Sequence, residues 1–368
     1  MMTNLILLIT LTLLPAFISI MFIPYWTRKT ESFGVSIPAD IYDTSALKSM
    51  RKKYTIIIGV ISLLTICVFL GYGLFTNMSE SMVGWLVGTT ITLFMIISFM
   101  IYLIFHQKMK QIKSTAKWGR QRTQKLAIHT QFRQQKLRYS NNWFIVPFVL
   151  IFSTIILTFL SYEHIPEKIP MQYNFQGEIT NFATKSYRTV LALPITQLYL
   201  ILIFIFVNTL TGKAKQQLST ENPEKSMHQN TIFRRRWSAF TIFGGIILSM
   251  LLSTVQLSFI YSIPQGFLIT TAVITVFAII IWAFILSYKT GQGGSRVTVS
   301  MDSNGKTVNR DDDRYWKLGQ FYVNKDDPTI FIEKRFGIGW TMNWGRPISW
   351  VIVIGFILIT LGIVLLTI

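Results

Sequence analysis

Apolar positions in this chain neither alternate nor recur on one face; they come in long unbroken runs separated by polar connections. Eight runs, at about residues 5–23, 54–75, 83–105, 143–162, 190–210, 237–261, 266–288 and 348–368, each approach the roughly 20 residues that let a helix cross a hydrocarbon core about 30 Å thick. None contains Asp, Glu, Lys or Arg, so every charge falls in a connection. Stacked soluble helices have no reason to keep such a partition, and these runs lack the polar face of a half-buried helix. The pattern predicts an all-α, polytopic helical membrane protein with about eight transmembrane helices, one small extracellular loop and one larger cytoplasmic loop module.

Composition agrees: 51% of the 368 residues are apolar and 14% are charged, against about 25% charged in an ordinary soluble domain. Disordered, collagenous and disulfide-rich secreted classes are excluded, and the single cysteine, Cys67, rules out an intrachain disulfide framework or a cysteine-based zinc cluster. A formal charge of +19 would elsewhere suggest nucleic acid. Its distribution points to a membrane instead: alternate connections hold 32 of the 35 basic residues, which by the positive-inside rule places those connections in the cytoplasm and both termini outside. The first run has no basic residue before it and is followed by Arg28 and Lys29, so it is read as a retained span rather than a cleaved signal. The partners expected on these grounds are the lipid bilayer, with anionic lipid at the cytoplasmic loops, and no nucleic acid.

The runs and connections divide the chain into five segments: 1–142, a three-span region with basic cytoplasmic loops; 143–210, a two-span domain with an extracellular loop at 163–189; 211–288, a basic loop and a two-span hairpin; 289–347, a cytoplasmic loop module; and 348–368, a C-terminal span. The 106–142 connection has ten basic residues, seven Gln and no acid, which suits either a helix lying on anionic lipid or a solvated connector. Arg234, Arg235, Arg236 and Trp237 read as an interfacial anchor. In the 289–347 module, GQGGS at 291–295 is expected to be a flexible exit from the preceding span, Arg296–Val299 suits a strand, Asn304-Gly305 a turn, and Asp311, Asp312 and Asp313 a solvated acidic turn. Trp316, Asp327, Lys334 and Trp340 are the candidate residues there. Gly84 and Gly88, and Gly245, Ser249 and Ser253, fall four apart and are expected to pack helices. FGVSIP at 33–38 and FGIG at 336–339 echo one another, too briefly for a repeat.

The 163–189 loop is dense in turn formers and polar side chains. Pro166 and Pro170 stiffen its start, Gly177 permits a tight turn, and Gln172, Asn174, Glu178 and Lys185 offer hydrogen bonds and charge, which suits a recognition surface or a cap over the helices. A span followed by Ile165, Pro166, Ile169, Pro170, Asn174, Gly177 and Glu178, then Lys185 and Leu193-Pro194, resembles the membrane domain of unknown function that opens SdpI-type toxin-immunity and signalling proteins of bacteria. Gln172 stands where that family commonly has His, and Thr180 where it has an acid. The segment YWKLGQFYVNKDDPTIFIEKRFGIGWTMNW is similar to a second short uncharacterised module that accompanies the first in Gram-positive bacteria.

Catalysis needs a nucleophile, an acid–base pair or a metal held together, whereas the four His, at 106, 129, 164 and 228, are spread over three connections. No catalytic residue, metal ligand set or cofactor is expected. The resemblance implies a non-enzymatic protein of the cell membrane that binds a peptide or protein partner. The alternative is a permease-type subunit for an uncharged or amphipathic solute, using Gln197, Asn208 and Gln256.

Overall fold

The computed structural model describes residues 6–75, 80–116, 136–173, 179–217, 223–298 and 313–367. Among these, eight helices are long and apolar enough to cross a membrane. They are built on α1 (Leu14–Trp26), which the preceding turns extend back to Ile6, α2 (Ser45–Phe75), α3 (Glu80–Thr115), α4 (Ile145–Leu160), which a short turn extends back to Asn141, α5 (Tyr187–Lys213), α6 (Pro223–Leu257), α7 (Gln265–Thr290) and α8 (Pro347–Thr367). The protein is an all-α, multi-pass membrane protein. Strands among the described residues form four small antiparallel hairpins in the connections: β1 (Glu31–Ser32) with β2 (Val35–Ser36), β3 (Lys168–Tyr173) with β4 (Ile179–Thr184), β5 (Trp316–Lys317) with β6 (Phe321–Tyr322), and β7 (Phe331–Glu333) with β8 (Trp340–Met342).

Three helices outrun their apolar segments: α2 has 31 residues, α3 has 36 and α6 has 35. Hydropathy marks only the part that suits hydrocarbon, and Ser45–Lys53, His106–Lys113 and Glu224–Arg236 contain neither Pro nor Gly to stop a helix. The start of the 106–142 connection is therefore a straight continuation of α3 rather than a helix laid on the surface; residues 117–135 lie outside the described residues. The expected interfacial belt likewise lies inside α6, with Arg234 fully buried and its Nη1 donating to the Thr211 carbonyl at 2.8 Å. In α1, Pro15 lacks the N–H that would continue the ladder, and the preceding turn, Ile9–Leu13, widens so that the Leu14 N–H reaches Ile9 O. Hydroxyls within the spans fold back on the carbonyl four residues earlier, as Ser62 does to Ile58 at 2.8 Å and Thr158 to Thr154 at 2.6 Å, so no hydroxyl is left facing lipid unpaired at those positions.

The chain forms two compact units, each assembled from separated stretches. The first comprises Met1–Gln135, Ala214–Phe233 and Leu286–Arg346. Its helices α1, α2 and α3 meet through Leu13, Phe17, Ile58, Phe94 and Tyr102, all buried, with the Phe17 and Phe94 rings 4.3 Å apart. It also holds the hairpins β1–β2, β5–β6 and β7–β8. The Gly-rich segment after α7 is an ordered turn, not a flexible exit: Gln292 is fully buried, donates to Lys334 O and Gly339 O, and accepts the Gly339 N–H at 2.8 Å. No strand starts at Arg296, which lies in a turn.

The second unit comprises Lys136–Lys213, Arg234–Ile285 and Pro347–Ile368. Phe144, Ile151, Ile201 and Ile242 are its buried apolar centre. The Gly245, Ser249, Ser253 face packs against α5: a Cβ on Gly245 would sit 3.2 Å from Phe144 and 3.3 Å from Phe204, and the Gln197 amide donates to Ser249 O at 2.8 Å and to Ser253 Oγ at 3.0 Å. By contrast, a Cβ on Gly84 or Gly88 would meet nothing within 4 Å, so the small-residue spacing on α3 does not mark a helix contact there.

Candidate functional site

The 163–189 loop is a β-hairpin with a fixed foot. Ile165 and Ile169, four apart in the Ile-Pro repeat, are buried with Val190 and Phe259, so the prolines lie on the other side: Pro166 is exposed and Pro170 sits in β3 opposite Phe182. A two-stranded sheet tolerates proline because its outer edge needs no donor. The register shifts on either side of Gln172, a bulge that bends the strand. Lys185 is not a free recognition charge; its side chain is 9% exposed, donates to Ile165 O at 3.0 Å, lies 4.9 Å from the Tyr162 ring centre and pairs with Glu167 at 3.7 Å. It locks β4 onto the start of the loop. Thr180, Asn181 and Phe182, consecutive in β4, are exposed, the last half exposed although apolar. Asn174, Gly177 and Glu178 lie outside the described residues.

The 313–346 module is held by polar interactions that no local sequence signal indicates. Asp313 is not a solvated turn residue. It accepts from Ser36 N and Oγ at 3.2 and 2.9 Å and from Lys113 Nζ at 2.7 Å, and it pairs with Arg335. Burial alone would raise its carboxyl pKa, but the Arg335 and Lys113 cations outweigh that and hold it below the ordinary range. Asp311 and Asp312 lie outside the described residues. Asp327 accepts from Lys215 Nζ at 2.5 Å, Tyr322 Oη at 2.8 Å and Thr329 N at 3.0 Å. Burial opposes its ionisation, yet hydrogen bonds led by Lys215 bring its pKa down to about 2. Glu333, fully buried, pairs with Arg28 and accepts from Asn230 Nδ2 at 2.8 Å.

Of the four candidates in this module, three are framework. Trp316 is buried 5.2 Å from the Tyr322 ring, with the Arg335 guanidinium 5.1 Å from its own ring; Asp327 is the ion pair just described; Trp340 packs on Phe233 at 5.8 Å. Only Lys334 is exposed. Sequence reading missed Tyr102 and His106 on α3, which reach the hairpins: Tyr102 Oη donates to Leu318 O at 2.9 Å, and His106 Nδ1 lies 2.8 Å from Phe33 O. Tyr102 lies within the apolar part of α3 and His106 opens its polar extension four residues on, one helical turn away, and that spacing was the available signal. The polar side chains considered for a solute path are engaged between helices: Gln197 as above, Gln256 Nε2 with Thr158 Oγ1 and Val190 O, and Asn208 with Asn141, Tyr139 and Ser238.

With this geometry in place, two family matches fall on the two segments. A domain of unknown function, DUF1648, matches residues 149–198, which hold most of α4, the β3–β4 hairpin and the first half of α5. A family of unknown function, DUF5808, matches residues 325–350, which hold β7, β8 and the start of α8. Comparison with curated proteins and with solved structures gives no match.

Proposed function

We propose that the chain is a non-enzymatic, multi-pass protein of the bacterial cell membrane, of the SdpI-type immunity or sensory kind, which meets a peptide or protein partner through the β3–β4 hairpin. The observation that carries this reading is the division of labour within the hairpin. Ile165, Ile169 and Lys185 fix its foot, while Thr180, Asn181 and the apolar Phe182 are exposed. An exposed aromatic beside polar groups, on a rigid support, is the composition of a recognition patch. The resemblance of 143–210 to the Gram-positive immunity domain supplies the class of partner. A permease role gains no support from Gln197, Asn208 and Gln256, whose amide N–H groups donate to Ser249 O, Asn141 Oδ1 and Val190 O within the packed helices.

The test is a challenge of bacterial cells expressing the full chain with membrane-active peptides, scored for survival, alongside photocrosslinking from the exposed position 180. Phe182→Ala and Asn181→Ala should remove the protection or the crosslink and leave membrane abundance and thermal stability unchanged. Full protection and crosslinking in both variants would overturn the reading. Loss of abundance in both would make the hairpin a structural cap.

A further inference from the structure

A cavity of about 480 Å³ opens in the first unit where α1 ends, α2 begins and the chain leaves α7. Five cations line it, Lys29, Lys48, Arg51, Lys52 and Arg296, against one carboxylate, Asp43. Asp43 is already shared between Lys29 at 3.3 Å and Lys48 at 3.9 Å, with all three side chains more than half exposed. The excess positive charge therefore has no protein counter-ion in the cavity wall.

Arg51 makes this more than a solvated basic surface. It is 3% exposed, and its guanidinium lies 3.9 Å from the Tyr42 ring centre, with Nη2 donating to Tyr42 O at 2.9 Å. Its Nε and Nη1 are buried without a hydrogen-bond partner. A buried guanidinium with unmet donors is costly unless something supplies acceptors. Arg296, also in the cavity wall, is oriented by bonds to Tyr25 O at 2.5 Å and Tyr288 O at 3.1 Å. Lys48, Arg51 and Lys52 stand in the first two turns of α2, whose free N-terminal amides add to the positive field. The tyrosines and cations sit at the ends of membrane-length helices, the level at which lipid phosphates lie.

We propose that this cavity binds a phosphoryl compound of net negative charge, with Arg51 as its buried contact and Lys48 and Lys52 at its mouth. A phosphate oxygen supplies the acceptors that Arg51 lacks, and its charge offsets the surplus of the wall. The proposal needs only the membrane-spanning architecture and is independent of any role for the β3–β4 hairpin.

The test uses the purified full chain in a neutral detergent, titrated calorimetrically with short-chain phosphatidylglycerol, with short-chain phosphatidylcholine and with inorganic phosphate. Phosphatidylglycerol should bind, with an affinity that falls as salt rises. Saturation without competition from inorganic phosphate assigns the site to a lipid headgroup, and competition assigns it to phosphoryl compounds generally; both support the proposal. Arg51→Gln should weaken binding about tenfold or more, the scale of one lost charge-assisted bond. Because that variant disturbs a buried position, the exposed pair Lys48→Gln/Lys52→Gln gives the deciding comparison. It should weaken binding severalfold, whereas Lys317→Gln/Lys325→Gln, which removes the same charge from exposed sites elsewhere, should not. Equal effects of the two pairs, equal binding of the zwitterionic lipid, or no binding of either anion would overturn the proposal.

Discussion

The rings of Phe33 and Phe336, more than three hundred positions apart, stack 5.8 Å from each other at an interplanar angle of 28°. Both are buried, and each is followed by a glycine at positive φ, 75° at Gly34 and 88° at Gly337. The two short FG segments thus form one contact. Phe33 itself has a φ of 46°, uncommon for an aromatic residue, and with Gly34 makes the two-residue turn of β1–β2. Tyr54 and Phe105 close the cluster, at 5.4 and 5.2 Å from Phe33. Truncating either phenylalanine removes a large buried ring whose neighbours are fixed by helices, so Phe33→Ala and Phe336→Ala should each destabilise by about 3–5 kcal/mol. The double variant should lose less than the sum because both open one cavity. Denaturant unfolding in detergent measures all three, and strict additivity would mean that the rings do not act on each other.

Gly34 allows a sharper version of this expectation. A Cβ there would lie 2.5 Å from Tyr102 Oη and 2.6 Å from Gly319 O, at a φ that L-residues avoid. Gly34→Ala should therefore destabilise more than Gly88→Ala, which meets open space beyond the first two turns of α3 and should gain up to about 1 kcal/mol of helix propensity. Parallel thermal melts of the two variants check the order; a Gly34→Ala melt at the wild-type temperature would refute the close approach.

Asp327 gives the module a dependence on pH. Its carboxyl is ionised in the folded chain down to about pH 2, against an ordinary value near 3.8. A depressed carboxylate contributes stability that is fully present above the unfolded value and is lost as pH falls through the folded one. The loss should thus run between about pH 4 and pH 2 and amount to about 2 kcal/mol at most. Trp316 packs on Tyr322, which itself donates to Asp327, so tryptophan emission should report the event. Asp327→Asn should be less stable than the parent at pH 7 and should show a flatter acid limb. Parallel acid limbs for the two proteins would remove Asp327 as the titrating group.

Legibility followed the range of the interaction. The spans were readable because lipid imposes one rule on twenty consecutive residues, and all eight are present. Their ends were not, because α2, α3 and α6 continue through charged sequence that no Gly or Pro interrupts. The turn formers of 163–189 marked a loop but not its two strands, and Lys185 read as a surface charge because its burial depends on Ile165 O and the Tyr162 ring, neither of them local to it. The partnerships of Asp313 with Lys113 and of Glu333 with Arg28 join residues separated by 200 and 305 positions. No periodicity or spacing encodes such pairs; only the folded chain brings them together.

Glu333 and Arg28 should behave as a buried ion pair. Breaking a buried pair from one side leaves a charge without its partner and typically costs about 3–5 kcal/mol, whereas replacing both members with apolar groups is often close to neutral. Glu333→Gln should therefore destabilise strongly, and Arg28→Met/Glu333→Leu should recover part of the loss. A double variant as unstable as the sum of its single changes, in the same unfolding assay, would mean that Asn230, Gln217 and the other contacts rather than the pair itself dominate.

The basic residues predict which way the chain faces. Thirty-two of 35 lie in alternate connections, and the positive-inside bias places the β3–β4 hairpin outside and the 313–346 module in the cytoplasm. Asn181 and Lys334 are exposed reporters of the two sides. Cys67, on an exposed part of α2, is the chain's own thiol and must be removed first. In a Cys67→Ala background, Asn181→Cys should react with a membrane-impermeant maleimide on intact cells, and Lys334→Cys should react only after permeabilisation. Both replacements are at exposed positions, where substitutions usually change stability by less than about 0.5 kcal/mol, so labelling reports sidedness rather than unfolding. The reverse pattern would invert the orientation, and the hairpin could then meet no partner from outside the cell. Phe182 would instead face the cytoplasm, and the peptide challenge would have to be replaced by a search among cytoplasmic proteins.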